Sequence, residues 1–246
     1  MLCTIHLPKP IRTLEAWLPL NETAITKIAD DAVRQILALR GGGVPGVRAV
    51  RRDLSGRLKT QSGADVLAMG LRLASAPALK TAHARWVGWD LINKHKGALA
   101  GLTPEIVEAL GAGNSSWDEV DGFAVYIAGP AWLRGLISDA DVLDWTGSPD
   151  LWRRRAALVT TVGLNSKSHG GKGDVARTLV IAEALVADRE DMVIKAMSWA
   201  LRSLVPWDRQ AVETFLERHD RHLAALVKRE VRAKLKTGRK TAKRAA

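Results

Sequence analysis

Apolar residues recur along this chain with the period of an α-helix. Ile25, Ile28, Ala29, Ala32, Val33, Ile36 and Leu37 fall at i, i+3, i+4 and i+7, the stripe by which an amphipathic helix meets a core. Val193, Ala196, Met197, Ala200, Leu201 and Leu204 repeat it. No segment alternates at period two for long enough to make a convincing strand. The pattern predicts helices over residues 22–40, 47–59, 63–75, 77–95, 103–111, 117–128, 130–136, 138–146, 150–162, 174–187, 190–204, 209–219 and 221–236. Start signals punctuate them. Thr103-Pro104-Glu105 and Ser148-Pro149-Asp150 place a cap before a first-turn proline, and Ser116 with Glu119 has the spacing of a capping box.

So many short helices without strands predict an all-α fold: a solenoid of stacked helical hairpins rather than a four-helix bundle. The lack of a sharp repeat signature suits a degenerate HEAT-type array. No linker divides the chain, so one domain is expected over 1–236, followed by a basic, disordered tail over 237–246 with Thr237-Gly238 as the break. The glycine-rich stretches Gly41–Gly43 and Gly163–Gly173 read as loops. The second does not satisfy the phosphate-loop pattern. No glycine stands five residues before Gly171-Lys172, and Gly173 occupies the place of the required Ser or Thr.

The net charge of +11 on 246 residues suggests a polyanionic partner, but its placement changes the picture. Residues 228–246 hold nine Lys and Arg against the single acid Glu230, leaving only +3 on the first 227 residues. No segment approaches the ~20 uncharged apolar residues that cross a bilayer, so no membrane role is expected. Met1–Pro10 has no apolar run of a secretory signal, and a cytoplasmic, nucleoid-associated location is expected. The one cysteine, Cys3, excludes an internal disulfide and a cysteine-based zinc cage, and no metal-ligand spacing such as H-E-x-x-H occurs. Nine of the twelve aromatic residues are Trp, an unusual share for core filling alone.

Three helices carry a polar stripe beside the apolar one. Lys195, Trp199 and Arg202 lie at i, i+4 and i+7; Trp117 and Asp121 are four apart; Trp152 and Arg155 are three apart within the run Arg153-Arg154-Arg155. Singly, each has an ordinary explanation: a Trp at an amphipathic boundary, or a solvated, ion-paired arginine face. Together they combine cations for phosphates with indole faces for sugars or bases. One carboxylate stands among them, and a carboxylate in a nucleic-acid groove needs a chemical reason.

The segments SSWDEVDGFAVYIAGPAWL (115–133), LWRRRAALV (151–159) and DMVIKAMSWALRSL (191–204) resemble, in order and spacing, the DNA alkylation repair family of HEAT-like-repeat alkylpurine DNA glycosylases, the AlkD type. Weaker similarity runs through GVPGVRAVRRDLS (43–55) and ARWVGWDLINKH (84–95), so that the resemblance covers roughly residues 40–225. It implies a curved solenoid whose concave face holds duplex DNA. It also implies hydrolysis of the glycosidic bond of cationic N3- and N7-alkylated purines without a base-flipping pocket. By position, Asp121, Trp117 and Trp199 match the catalytic trio, and Arg155 matches the backbone-binding arginine. With Arg154, Trp152, Lys195 and Arg202, Arg155 makes up the expected DNA-binding set. No metal and no cofactor is implied, and the expected partner of a monomeric protein is double-stranded DNA with alkylated bases. Two departures stand out: GGGVPGVR has no aromatic where the family often has Tyr, and the loop 163–174 is long. A non-catalytic DNA-binding paralogue and a protein-binding scaffold are the competing readings. The tail is expected to add sequence-independent phosphate contacts.

Overall fold

Residues 22–39 and 43–240 are described by the structure, a computed structural model, and among them every regular element is helical. The chain runs through α1 (Glu22–Ala38), α2 (Gly43–Arg57), α3 (Gly63–Ser75), α4 (Pro77–Thr81) and α5 (Trp86–Lys94). It continues through α6 (Lys96–Ala100), α7 (Pro104–Gly111), α8 (Trp117–Phe123), α9 (Gly129–Leu133) and α10 (Asp139–Asp144). The long α11 (Leu151–Asn165) is followed by α12 (Val175–Ala184), α13 (Asp191–Leu204), α14 (Arg209–Arg218) and α15 (Ala225–Thr237).

Packing follows chain order. One layer passes from α2 to α5, α8, α11, α13 and α15, each meeting the next; α3, α12 and α14 pack behind it. Such neighbour-to-neighbour burial is the logic of a helical-repeat solenoid, in which no single hairpin hides its apolar face alone. The stripe read from the sequence supplies that face. Ile25, Ala29, Ala32 and Ile36 are buried on α1, as are Val193, Ala196, Met197, Ala200, Leu201 and Leu204 on α13. Glycines allow a close crossing of α3 and α5. A Cβ on Gly88 of α5 would stand 2.4 Å from the Gly70 carbonyl oxygen of α3, so only glycine lets these helices touch backbone to backbone.

Several boundaries differ from the periodic reading, each for a physical reason. The helix expected over 77–95 breaks at 82–85, where His83 takes a left-handed φ of 51°. The break carries Arg85 inward: its Nε donates to the Ala74 carbonyl at 2.6 Å, and its Nη1 donates to Asn114 Oδ1 at 2.9 Å and pairs with Glu119 at 3.4 Å. Glu119 is thereby occupied, and its other oxygen accepts from the Ser115 backbone N–H. Ser116 therefore precedes α8 without the expected capping box. Asp150, not Ser148, caps α11, accepting from the Trp152 N–H at 2.9 Å. Thr103 caps α7 as expected.

The helix expected over 117–128 ends in a π-helical turn, Ala124–Ala128, that continues directly into α9. Pro130 accounts for it. Its ring has no N–H and crowds the carbonyl four residues back, and the wider turn relieves that clash without breaking the rod. Gly163–Asn165, expected in a loop, form the last turn of α11. Asn165 then fixes the shorter connection that follows, its Nδ2 donating to Thr178 and its Oδ1 accepting from the Asp174 N–H. The tail falls mostly outside the described residues: α15 runs to Thr237, 238–240 are exposed, and 241–246 are not described. Among the described residues no helix is long and apolar enough to cross a membrane.

Candidate functional site

α8 begins at Trp117, whose side chain is 57% exposed, an unusual position for an indole. One turn later Asp121 points at α11, where Arg155 meets it with two parallel hydrogen bonds. Arg155 Nε donates to Oδ1 at 3.0 Å, and Nη2 donates to Oδ2 at 2.8 Å. The third donor, Nη1, reaches the Met192 carbonyl in the first turn of α13 at 2.6 Å. Arg155 is 5% exposed and joins three helices of the layer. Bidentate guanidinium–carboxylate geometry fixes orientation as well as distance. Burial pushes the Asp121 carboxyl above its ordinary pKa of 3.8, against the pull of Arg155 and with a smaller push from the charge of Asp118.

Beyond Arg155 opens a cleft of about 390 Å³ between α11, α13 and α15. Arg155, Lys195, Trp199, Arg202, Leu226, Glu230 and Lys240 line it. The stripe Lys195, Trp199 and Arg202 therefore faces a single cavity, with the half-buried indole of Trp199 between two cations. Lys195 is paired with Asp191 at 2.7 Å on the exposed side of α13. Arg202 Nε donates to Ser198 Oγ at 3.1 Å and stands 3.6 Å from Glu230. Burial lowers the Arg202 pKa from its ordinary value, and the charge of Glu230 offsets part of that.

Other predicted members lie elsewhere. The run Arg153-Arg154-Arg155 is ion-paired throughout, each arginine to a different acid. Arg153 pairs with Glu108 and stacks on Trp145; Arg154 pairs with Asp188 at 2.7 Å and donates to the Ser148 and Pro149 carbonyls. Trp152 packs beside Gly111 and Phe123 at a small cavity separate from the cleft. Sequence reasoning missed Glu230 and Lys240, which it counted with the tail. The signal was available, since Glu230 is the one acid among nine cations over 228–246 and a lone acid there is more than charge balance. Among the described residues no three His, Cys, Asp or Glu side chains gather in a way that could hold a metal ion.

A family model described as DNA alkylation repair enzyme matches residues 23–235. The chain belongs to the DNA alkylation repair enzyme family. The match takes in every helix that lines the site, from α8 to nearly the end of α15. No curated protein and no solved structure matches the chain. Of the catalytic trio expected from the sequence, Trp199 lines the cleft and Asp121 is joined to its wall through Arg155, whereas Trp117 stands exposed at the start of α8 and is not among the cleft-lining residues.

Proposed function

We propose that the protein is a monofunctional DNA glycosylase, hydrolysing the N-glycosidic bond of cationic N3- and N7-alkylated purines in duplex DNA without flipping the base. It acts as a monomer in the cytoplasm, on the nucleoid. The observation that carries this reading is the Asp121 carboxylate, half-buried and held at a fixed angle by Arg155 beside the cleft that Trp199 lines.

The chemistry asks little of a general acid. An alkylated purine already carries positive charge, so it departs with the electron pair of the C1′–N bond and becomes neutral. The positive charge then develops on the deoxyribose. Asp121 stabilises that charge and orients a water molecule, whose oxygen bonds to C1′ while its proton passes to the carboxylate and on to solvent. The faces of Trp117 and Trp199 attract the cationic centre, each contributing about 0.5–2 kcal/mol. Arg155 sets the aim of Asp121 and moderates its basicity.

A second reading is a DNA-binding member that has lost catalysis. It is favoured by one feature: both Asp121 oxygens already accept from Arg155. A carboxylate oxygen has a second lone pair, however, so a water can still be held. Release of free base from a duplex carrying 7-methylguanine separates the two readings. Release above the spontaneous rate supports the glycosylase, and tight binding without release supports the other.

A further inference from the structure

We infer that Glu230 is a positioning residue that holds Arg202 and Lys240 side by side as a phosphate clamp on the wall of the Trp199 cleft. This rests on duplex DNA being what the cleft takes.

Glu230 is 8% exposed and lines the cleft from α15. A carboxylate near a polyanion repels it, so its presence here costs affinity unless it does something for the cations around it. Its two oxygens serve different partners. Oε2 accepts from the Ser198 hydroxyl at 2.7 Å, and Ser198 Oγ in turn accepts from Arg202 Nε at 3.1 Å. Oε1 stands 3.5 Å from Lys240 Nζ. The relay pins the Arg202 guanidinium by Nε alone; among the described residues its Nη1 and Nη2 have no acceptor and are left for a ligand.

Lys240 reaches the cleft through a built turn rather than along the helix. Gly238 adopts a left-handed φ of 71°, and its N–H closes on the Lys234 carbonyl at 2.9 Å. Lys234 Nζ donates to the Gly238 carbonyl at 2.7 Å, and the Arg239 N–H donates to Thr237 Oγ1 at 3.2 Å. The chain leaves α15 sideways and returns Lys240 to Glu230.

The ion pairs of the cleft leave one cation in excess. Arg155 is balanced by Asp121 and Lys195 by Asp191, whereas Glu230 alone faces two cations. The surplus positive charge of the cleft sits at this pair, and a phosphate of the DNA backbone satisfies it.

Fluorescence anisotropy with an undamaged duplex, across a salt series, tests the clamp on the full chain. Glu230→Gln removes a negative charge, so the protein's field alone would tighten binding. The clamp requires the opposite, a loss of about tenfold as Arg202 and Lys240 come adrift, the scale of a lost charged hydrogen bond. Lys240→Ala, at an exposed position, is expected to flatten the slope of log K against log salt by about 0.9, one phosphate contact. In the Lys240→Ala background the effect of Glu230→Gln is expected to shrink, because the two residues pair with each other. Unchanged or tighter binding by folded Glu230→Gln overturns the inference, and so does an unchanged slope in Lys240→Ala if Glu230→Gln fails to fold. A wild type that binds no duplex overturns it together with the glycosylase reading. A wild type that binds but releases no base overturns the glycosylase reading alone.

Discussion

Arg155 holds both oxygens of Asp121 and, through Nη1, the Met192 carbonyl. One guanidinium therefore aims the carboxylate and ties the helix of Trp117 to the helix of Trp199. Arg155→Ala leaves the half-buried Asp121 without its counter-ion. Urea denaturation is expected to show a loss of about 3 kcal/mol, the usual consequence of removing one partner from a buried pair. A loss within 0.5 kcal/mol of zero, the range of ordinary surface changes, contradicts the geometry described.

The Asp121 pKa gives a pH dependence of definite sign. Burial raises it above 3.8 in the folded chain, so the folded state binds the proton more tightly than the unfolded state. The contribution of this group to stability is complete below 3.8 and is lost as pH rises through the raised folded value. Wild type minus Asp121→Asn, measured by denaturant unfolding, is therefore expected to fall as pH rises across that window. A difference that grows with pH reverses the sign and removes burial as the dominant influence. If base release uses the ionised carboxylate as proposed, its acid limb is expected above the ordinary aspartate value.

Trp117 is mostly solvent-facing, so its role separates from stability. Trp117→Ala is expected to slow single-turnover base release by about 2- to 30-fold, the kinetic equivalent of one lost cation–π contact. Its unfolding midpoint should barely move. An unchanged rate removes Trp117 from the site.

The crossing of α3 and α5 is set by Gly88. Gly88→Ala puts a methyl group 2.4 Å from the Gly70 carbonyl oxygen, where no flexible side chain can give way. A destabilisation of about 1–3 kcal/mol is expected, read as a lower urea midpoint. A neutral effect means the helices are not in backbone contact.

How far the sequence predicts this molecule depends on the range of each interaction. The helices α1 and α13 follow from local periodicity, because the residues that bury them lie on one stripe of the same segment. Interactions that join distant segments leave no local trace. Arg85 breaks the expected helix over 77–95 because its partners lie at Ala112, Asn114 and Glu119. The three arginines 153–155 resemble a solvated basic face, yet their acids lie 34 to 45 residues away. The stripe Lys195, Trp199 and Arg202 was legible as a face; the cleft it lines was not, since Glu230 and Lys240 reach it only through the packing of α15 and the turn at Gly238. Family resemblance supplied the pairing of Trp117 and Asp121 with Trp199, which spacing alone does not establish.

The most direct measurement is release of free 7-methylguanine from a duplex at saturating enzyme, comparing wild type with Asp121→Asn. Asparagine keeps the shape and an acceptor for Arg155 but removes the charge. Release by the wild type above the spontaneous rate, with a fall of about 10²-fold in the variant, is the expected result for a positioned charged group. Equal rates in the two proteins, or no release by the wild type while it still binds DNA, would contradict the assignment of Asp121 as the catalytic carboxylate.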